Sequence, residues 1–437
     1  MQFFQLMKPV IFFIISIVFT KTHLKTYDIG QFEGFMFIAS VSTFFWVTGI
    51  NQSLLPLYNR NRTYRKLGEN GPTKSPEIFN AFLILCFFSL LLFILGHTLK
   101  YNFSFFHNRG NVPYINLLLL YMLLSSPVCL IEYIYLLNNR SYRIFQYGLY
   151  TYTAQLLLII TPLLFGKDII WSIYGLLIIT GVRWIWLIIL LRRYTEMKIS
   201  LAFMKEHLYL GAPLMITTLI SGSAQYTDGF IVSVVFRDPA KFALFRYGAK
   251  EFPLFLMLAN GLSSAMLSEF STREKMKESL EKIKVKSKQL MHFLFPATAV
   301  IMLLARWGYP LVFRAEFSES SRYFLVYALM IIPRLVFPQT ILVGRKKTRI
   351  TMVAAVLELA VNIPLSLLML KWGYGITGVV LSSFIAYTIN NLFLVIYLWV
   401  KMKIKPAEYI PLRVFALYSL LISILFILID HRIIDIH

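Results

Sequence analysis

Five charged side chains stand inside long apolar stretches of this sequence, Glu132, Arg183, Asp228, Arg334 and Glu358, while Arg246 and Lys250 open another. A charge at the centre of a membrane helix costs about 2.5–3.5 kcal/mol even on the mildest scale, so each needs a partner, a wet cavity or a function. Thr217, Ser221, Gln225 and Asp228 step by four, four and three, which puts them on one helix face, with Leu219, Ile220, Phe230 and Ile231 elsewhere. The same stepping joins Tyr121, Ser125, Cys129 and Glu132, and also Glu358, Asn362 and Ser366, while Arg246 and Lys250 are again four apart. Together these faces predict a central polar cavity lined from both halves of the chain. The chemistry such a cavity offers is the binding and passage of a charged species.

A plainer use of each charge stands beside that one. Glu132 lies five residues from the cytoplasmic end of its stretch and is read first as a snorkelling side chain, and Arg246 and Lys250 can sit among outer headgroups. Asp228 and Glu358, near the middle of theirs, have two readings: a buried pairing with Arg183 or Arg334 that only stabilises the bundle, or a transport role.

The elements that position these residues must be built in lipid. Of 437 residues 58% are hydrophobic and only 15% charged, against roughly 25% charged in a soluble domain. That excludes an ordinary soluble enzyme, a disordered chain and a disulfide-stapled module. A bilayer-spanning helix needs about 20 apolar residues. Thirteen stretches qualify, from Phe3–Thr20 to Leu412–Ile429, and with no water available to their backbones they are predicted to be helices. The residues singled out fall in the fourth (Tyr114–Leu137), sixth (Ile169–Leu191), seventh (Tyr209–Val235), eighth (Phe242–Leu267), tenth (Tyr323–Val343) and eleventh (Ile350–Leu370).

The formal charge of +22 is explained by topology before nucleic acid. With the N-terminus inside, twenty-five Lys and Arg side chains fall in cytoplasmic segments and thirteen on the opposite side, the bias that orients membrane proteins. No nucleic-acid partner is expected. Cys86 and Cys129 lie in apolar runs and build neither a disulfide framework nor a zinc site. The first stretch lacks a small-residue cleavage site and is read as a retained helix. Residues 271–289, STREKMKESLEKIKVKSKQ, carry Met276, Leu280 and Ile283 at helical spacing among charges, which predicts a cytoplasmic amphipathic helix lying on the anionic leaflet. The remaining loops are too short for a further domain. None of the seven histidines forms an HExxH or comparable pair, and all are placed near helix ends or in loops.

Phe242 to Phe270, FALFRYGAKEFPLFLMLANGLSSAMLSEF, resembles the eighth-helix signature of the polysaccharide-biosynthesis flippases, in the multidrug, oligosaccharidyl-lipid and polysaccharide exporter superfamily. Tyr247, Ala249 and Lys250 fit its aromatic, small and basic positions, and Ser268 stands where a closing proline is expected. The turn from Asp28 through Gly30 to Phe32 and the intramembrane Asp228 resemble further family features. Pro9 and Pro213 open the first and seventh helices alike.

The resemblance implies an all-α polytopic membrane protein of 12–14 helices in two pseudo-symmetric six-helix lobes. The N-terminal lobe takes residues 1–195, the C-terminal lobe 196–400 including the amphipathic segment, and 401–437 hold an extra hydrophobic helix and tail. It implies a flippase that moves a lipid-linked oligosaccharide on an undecaprenyl-diphosphate carrier to the outer leaflet of the bacterial inner membrane, beside a possible polysaccharide polymerase or export machinery. On that account Arg183, Arg246, Lys250 and Arg334 are diphosphate contacts, Asp228, Glu358 and Glu132 coupling or gating carboxylates, and Thr217, Ser221, Gln225 and Asn362 cavity-lining residues. No cofactor is implied beyond a coupling proton or sodium ion. The alternatives are a polytopic glycan polymerase or glycosyl- or acyltransferase, and a multidrug and toxin extrusion-type exporter. The latter's cavity for cationic substrates would be acidic, whereas here there are at least as many cations as acids.

Overall fold

The computed structural model describes residues 2–65, 74–99, 112, 114–249, 252–267, 269–271 and 276–430. Lys250, Ser268, the residues around His107 and the tail after Asp430 lie outside them. Among the described residues every regular element is a helix, and the chain divides into two compact units. One holds the described residues of Met1–Gly222 and Ser233–Ala243, the other those of Ser223–Val232 and Leu244–His437. The first contains α1 (Gln2–Lys21), α2 (Thr26–Arg65), α3 (Pro76–Leu99), α4 (Ile115–Val128), α5 (Leu130–Leu137), α6 (Ser141–Leu164) and α7 (Ile169–Tyr194), while α8 (Leu201–Phe236) and α9 (Pro239–Gly248) contribute to both. The second contains α10 (Pro253–Leu267), α11 (Met276–Val312), α12 (Ser318–Ala328), α13 (Ile331–Arg334), α14 (Pro338–Gly344), α15 (Thr348–Lys371), α16 (Gly375–Met402), α17 (Pro406–Tyr409) and α18 (Leu412–Asp430).

Nine helices among the described residues are long and apolar enough to cross a membrane, ten if one bent pair is a single span. The expected thirteen differ at three places. The first falls on α1, whose leading side chains lie outside the described residues. The seventh falls on α8, one 36-residue helix whose Thr217, Ser221, Gln225 and Asp228 make it more polar than an ordinary span. The eighth is two short helices, α9 and α10, in place of one.

The bent pair is the tenth expected span. Ala315–Arg334 and Pro338–Gly344 meet at 50°. Pro333 has no N–H to donate and its ring displaces the carbonyl four residues back. The chain before it tightens into three-residue turns, Leu329 N to Val326 O at 3.1 Å and Ile332 N to Leu329 O at 3.0 Å. Irregular backbone at membrane depth survives only where protein or a wet cavity covers it. Here Ser287 of α11 supplies the cover, its hydroxyl donating to Leu335 O at 3.1 Å.

That contact corrects the expectation for residues 271–289. The segment from Met276 onward opens α11, which runs unbroken for 37 residues. Its apolar face does not lie on the leaflet: Leu280 and Ile283 are buried in one cluster with Phe270, Leu335, Ile341 and Leu342, while Lys282, Lys286 and Lys288 are exposed. The apolar stripe is wide enough to reach the protein, so burial there competes out the membrane surface.

Each unit has its own core. In the first, Ile50 and Leu54 of α2, Leu85 of α3, Ile134 of α5 and Leu187 of α7 are buried together, with Trp46 stacked on Phe88 at 5.7 Å. Gly175 lets α7 approach α6: a Cβ there would stand 2.3 Å from Leu158 O, the small-residue packing by which membrane helices close up. His207, expected near a helix end, is instead buried within α8 and bonded through Nε2 to Ile50 O at 2.8 Å. In the second unit Phe295 and Met302 of α11, Leu325 of α12 and Leu398 of α16 form the centre. Outward, large apolar side chains such as Ile185, Ile189 and Leu420 remain exposed, as lipid-facing residues do.

Candidate functional sites within the two units

In the second unit a polar column runs through helices that are otherwise apolar. Asp228 is buried, and three neutral groups hold it: Tyr327 OH donates to Oδ2 at 2.9 Å, Asn362 Nδ2 reaches Oδ1 at 3.4 Å, and the Ser383 hydroxyl donates to Oδ1. Asn362 also donates to Ser383 Oγ at 2.7 Å and accepts from Ser366 at 2.9 Å. An ionised carboxylate is acceptor-only, so donors from three helices are what it requires when buried. The pairing of Asp228 with an arginine that the sequence left open is not what forms; among the described residues its partners are all uncharged.

Glu358 lies one turn before Asn362 on α15 and accepts a hydrogen bond from Asn390 Nδ2 of α16, again in place of a guanidinium. Asn390 Oδ1 is buried with no hydrogen-bond partner among the described residues. Arg334, at the end of α13, lays its guanidinium over the Tyr387 ring with Cζ 4.8 Å from the centroid. Its charge acts on Glu358, as does that of Asp228. Ser383, Tyr387 and Asn390 share one face of α16 by their four- and three-residue spacing, so this face meets Asp228, Arg334 and Glu358 in turn.

A second cluster lies in the first unit. Arg183 of α7 is half-buried; its Nη2 donates to Gln155 Oε1 at 2.8 Å and its Cζ lies 5.2 Å from the Tyr152 ring centroid. Arg183 Nε and Gln155 Nε2 are buried donors with no partner among the described residues. Among the described residues Glu132 makes no ion pair. It is half-buried in α5 and feels the charges of Lys8 and Arg183. Tyr152 and Gln155 are three apart on α6, as Tyr387 and Asn390 are on α16. Each unit therefore presents an aromatic ring and an amide on one helix, with an arginine laid on the ring and a glutamate within its field.

The remaining predicted residues are placed less centrally. Thr217, Ser221 and Gln225 are exposed on α8, and the first two close their hydroxyls on their own helix, to Pro213 O at 2.8 Å and Thr217 O at 2.7 Å. Arg246 is half-buried on α9, where its charge reaches Tyr226. Lys250 lies outside the described residues. Tyr327, Ser383, Tyr387, Asn390, Tyr152 and Gln155 are not among the residues singled out from the sequence; Pro333 and Pro338, which flank the bend after Tyr327, are a signal that could have drawn attention to that tyrosine. Among the described residues no group of three or more His, Cys, Asp or Glu side chains could hold a metal ion.

Many apolar helices, one of them broken, and charges held inside each unit define an all-α multi-pass membrane protein. The match to solved structures bears on that fold. The chain is similar to a lipid II flippase MurJ in an inward closed conformation, at 18% identity over 100% of this chain and 94% of that one with a TM-score of 0.73. It is similar to an inward-facing multidrug resistance MATE family transporter, at 12% identity over 90% and 93% with a TM-score of 0.67. A MOP superfamily transporter from Pyrococcus furiosus aligns at 11% identity over 92% and 93% with a TM-score of 0.56. A family model described as polysaccharide biosynthesis protein matches residues 23–322, and the chain belongs to that family. No curated protein matches it significantly.

Proposed function

We propose that this protein flips a lipid-linked oligosaccharide, on a diphosphate carrier of the undecaprenyl type, from the cytoplasmic to the outer leaflet of the bacterial inner membrane by alternating access, for surface polysaccharide biosynthesis. The observation that carries the reading is Arg183: a guanidinium inside a membrane span, held by a neutral amide and an aromatic face, with its Nε donor unpartnered among the described residues. An arginine kept at that expense is matched to an oxyanion, because the planar fork binds phosphate oxygens in pairs. A diphosphate cannot cross hydrocarbon bare, so cations along its path replace its hydration. Arg334 offers the same group in the second unit. Arg246 and Lys250 are further contacts on this account, with Thr217, Ser221, Gln225 and Asn362 lining a wet path.

Asp228 and Glu358, with Glu132 in the first unit, are the groups through which a proton or sodium ion would drive the cycle. The cytoplasmic N-terminus follows from the distribution of Lys and Arg. The partners are the lipid-linked glycan, the surrounding lipids and the polymerase that consumes the exported unit. Membership of a polysaccharide-biosynthesis family favours this reading over drug export, for which the fold alone would serve equally well. It also favours transport over glycan polymerisation or glycosyl and acyl transfer.

The test is deletion of the gene followed by a sidedness assay of lipid-linked sugars. Complete units accumulating on the inner leaflet support flipping. Unpolymerised units already exposed outside point to an enzyme and overturn it.

A further inference from the structure

Arg334 and Tyr327 line a small cleft of the second unit, about 20 Å³, walled by Phe252, Phe255, Thr298 and Phe324. That is room for a water-sized group, such as one oxygen of an anionic headgroup. Of its three polar side chains Thr298 closes its hydroxyl on Leu294 O at 2.7 Å, while Tyr327 and Arg334 each lead to a carboxylate. Tyr327 holds Asp228 directly, and Arg334 rests on Tyr387, whose neighbours one turn either way, Ser383 and Asn390, hold Asp228 and Glu358. Among the described residues the charged groups acting on Glu358 are Arg334 and Asp228, one of each sign.

We propose that Arg334 is a shared counter-ion that couples anion binding in this cleft to proton uptake by Glu358. An anionic oxygen entering the cleft engages the guanidinium. Glu358 then faces Asp228 with less opposing charge and takes a proton from hydronium or the buffer acid: one O–H bond forms on the carboxylate as the donor's bond to that proton breaks, leaving water or the buffer base.

Asn390 suits both states. Its N–H₂ now donates to the carboxylate while its Oδ1 is buried without a partner among the described residues. A protonated Glu358 is a donor, which the amide oxygen can accept after a half-turn of the side chain. The partner of Glu358 is thus an N–H donor rather than a cage of oxygens, which favours a proton over a metal cation at this residue. Linkage is reciprocal, so protonation tightens anion binding by the same factor that the anion tightens protonation. The inference rests on the cargo being a phosphate-bearing anion.

The probe is a short-chain prenyl-diphospho-N-acetylglucosamine, whose diphosphate diester does not itself titrate near neutral pH. It is titrated calorimetrically into the full chain in nanodiscs, in two buffers of different ionisation enthalpy. Binding is expected to take up a proton and to tighten at least about fivefold as the pH falls through the transition. Glu358→Gln binds with no proton uptake, Arg334→Gln loses most of the affinity, and Arg334→Lys, which keeps the charge should the neutral variant not fold, retains the uptake.

Unchanged proton uptake in Glu358→Gln, or wild-type affinity in a folded Arg334→Gln, overturns the proposal. Leaflet-to-leaflet transport that is absent while this linkage is present sinks the flippase reading alone. Transport that is intact without the linkage sinks this inference alone.

Discussion

Tyr327 donates its phenolic hydroxyl to Asp228 Oδ2 across 2.9 Å, so the first arm of the bent pair is tied to a buried carboxylate on α8. Removing that donor leaves the carboxylate with two hydrogen bonds where it had three. Tyr327→Phe is expected to lower stability by about 1.5–3 kcal/mol, the range for a hydrogen bond to a charged group. Asp228→Asn is expected to cost more, because an amide turns one acceptor into a donor facing donors. Thermal unfolding in detergent ranks the two; Tyr327→Phe as damaging as Asp228→Asn would show that the donor count is not what matters.

Ser287 gives a second stability test. Its hydroxyl closes the Leu335 carbonyl freed by the break. Ser287→Ala strands that carbonyl away from water and is expected to destabilise by about 1–3 kcal/mol. The exposed Ser318→Ala, which removes only a local turn bond, serves as the control and should stay within about 0.5 kcal/mol. Equal melting temperatures for the two would mean that Leu335 finds another donor.

Gly175 is a packing prediction. Gly175→Ala places a methyl against the Leu158 carbonyl of α6, and overpacking of this kind typically costs about 1–3 kcal/mol. Gly181, on the same helix with nothing within 4 Å of its missing Cβ, should accept alanine without loss. The comparison is read by folded yield on size-exclusion chromatography, and a lower yield for Gly181→Ala than for Gly175→Ala would contradict it.

Much of the fold was legible because lipid imposes one rule: an apolar run of sufficient length must be a helix. The face of α8 leading to Asp228 and the alignment of Glu358 with Asn362 were readable from periodicity, which depends on one helix at a time. The partners were not. Asp228 chooses Tyr327 and Ser383, and Arg183 chooses Gln155, through the register between helices, and that register is absent from any single stretch of sequence. Tyrosines and serines also look like belt and interior residues until a neighbour is placed beside them. The break of α12 to α14 was signalled by Pro333 and Pro338 but masked by the apolar residues around them. The burial of Leu280 and Ile283 shows the converse error, since an amphipathic stripe is equally suited to a leaflet and to a core.

Gln155 tests how Arg183 is kept in place. Gln155→Leu removes the acceptor of the 2.8 Å bond from Nη2 and leaves the guanidinium on the Tyr152 ring alone. Loss of about 1.5–3 kcal/mol is expected, with transport reduced because the fork is no longer oriented. Arg183→Lys should fold nearly as well yet transport less, since an ammonium cannot make the paired contact. Wild-type transport in Arg183→Lys would mean that charge alone is used at this position.

The central claim is that arginines within the membrane carry an anionic headgroup across it. The most direct measurement is transbilayer movement of a fluorescent prenyl-diphospho-oligosaccharide in liposomes containing the purified protein, comparing wild type with an Arg183→Gln, Arg334→Gln double variant matched for folded fraction. Loss of two charged hydrogen-bonding groups at about 1.5–3 kcal/mol each predicts a fall in rate of at least about tenfold. A folded double variant that moves the lipid at the wild-type rate would contradict the account.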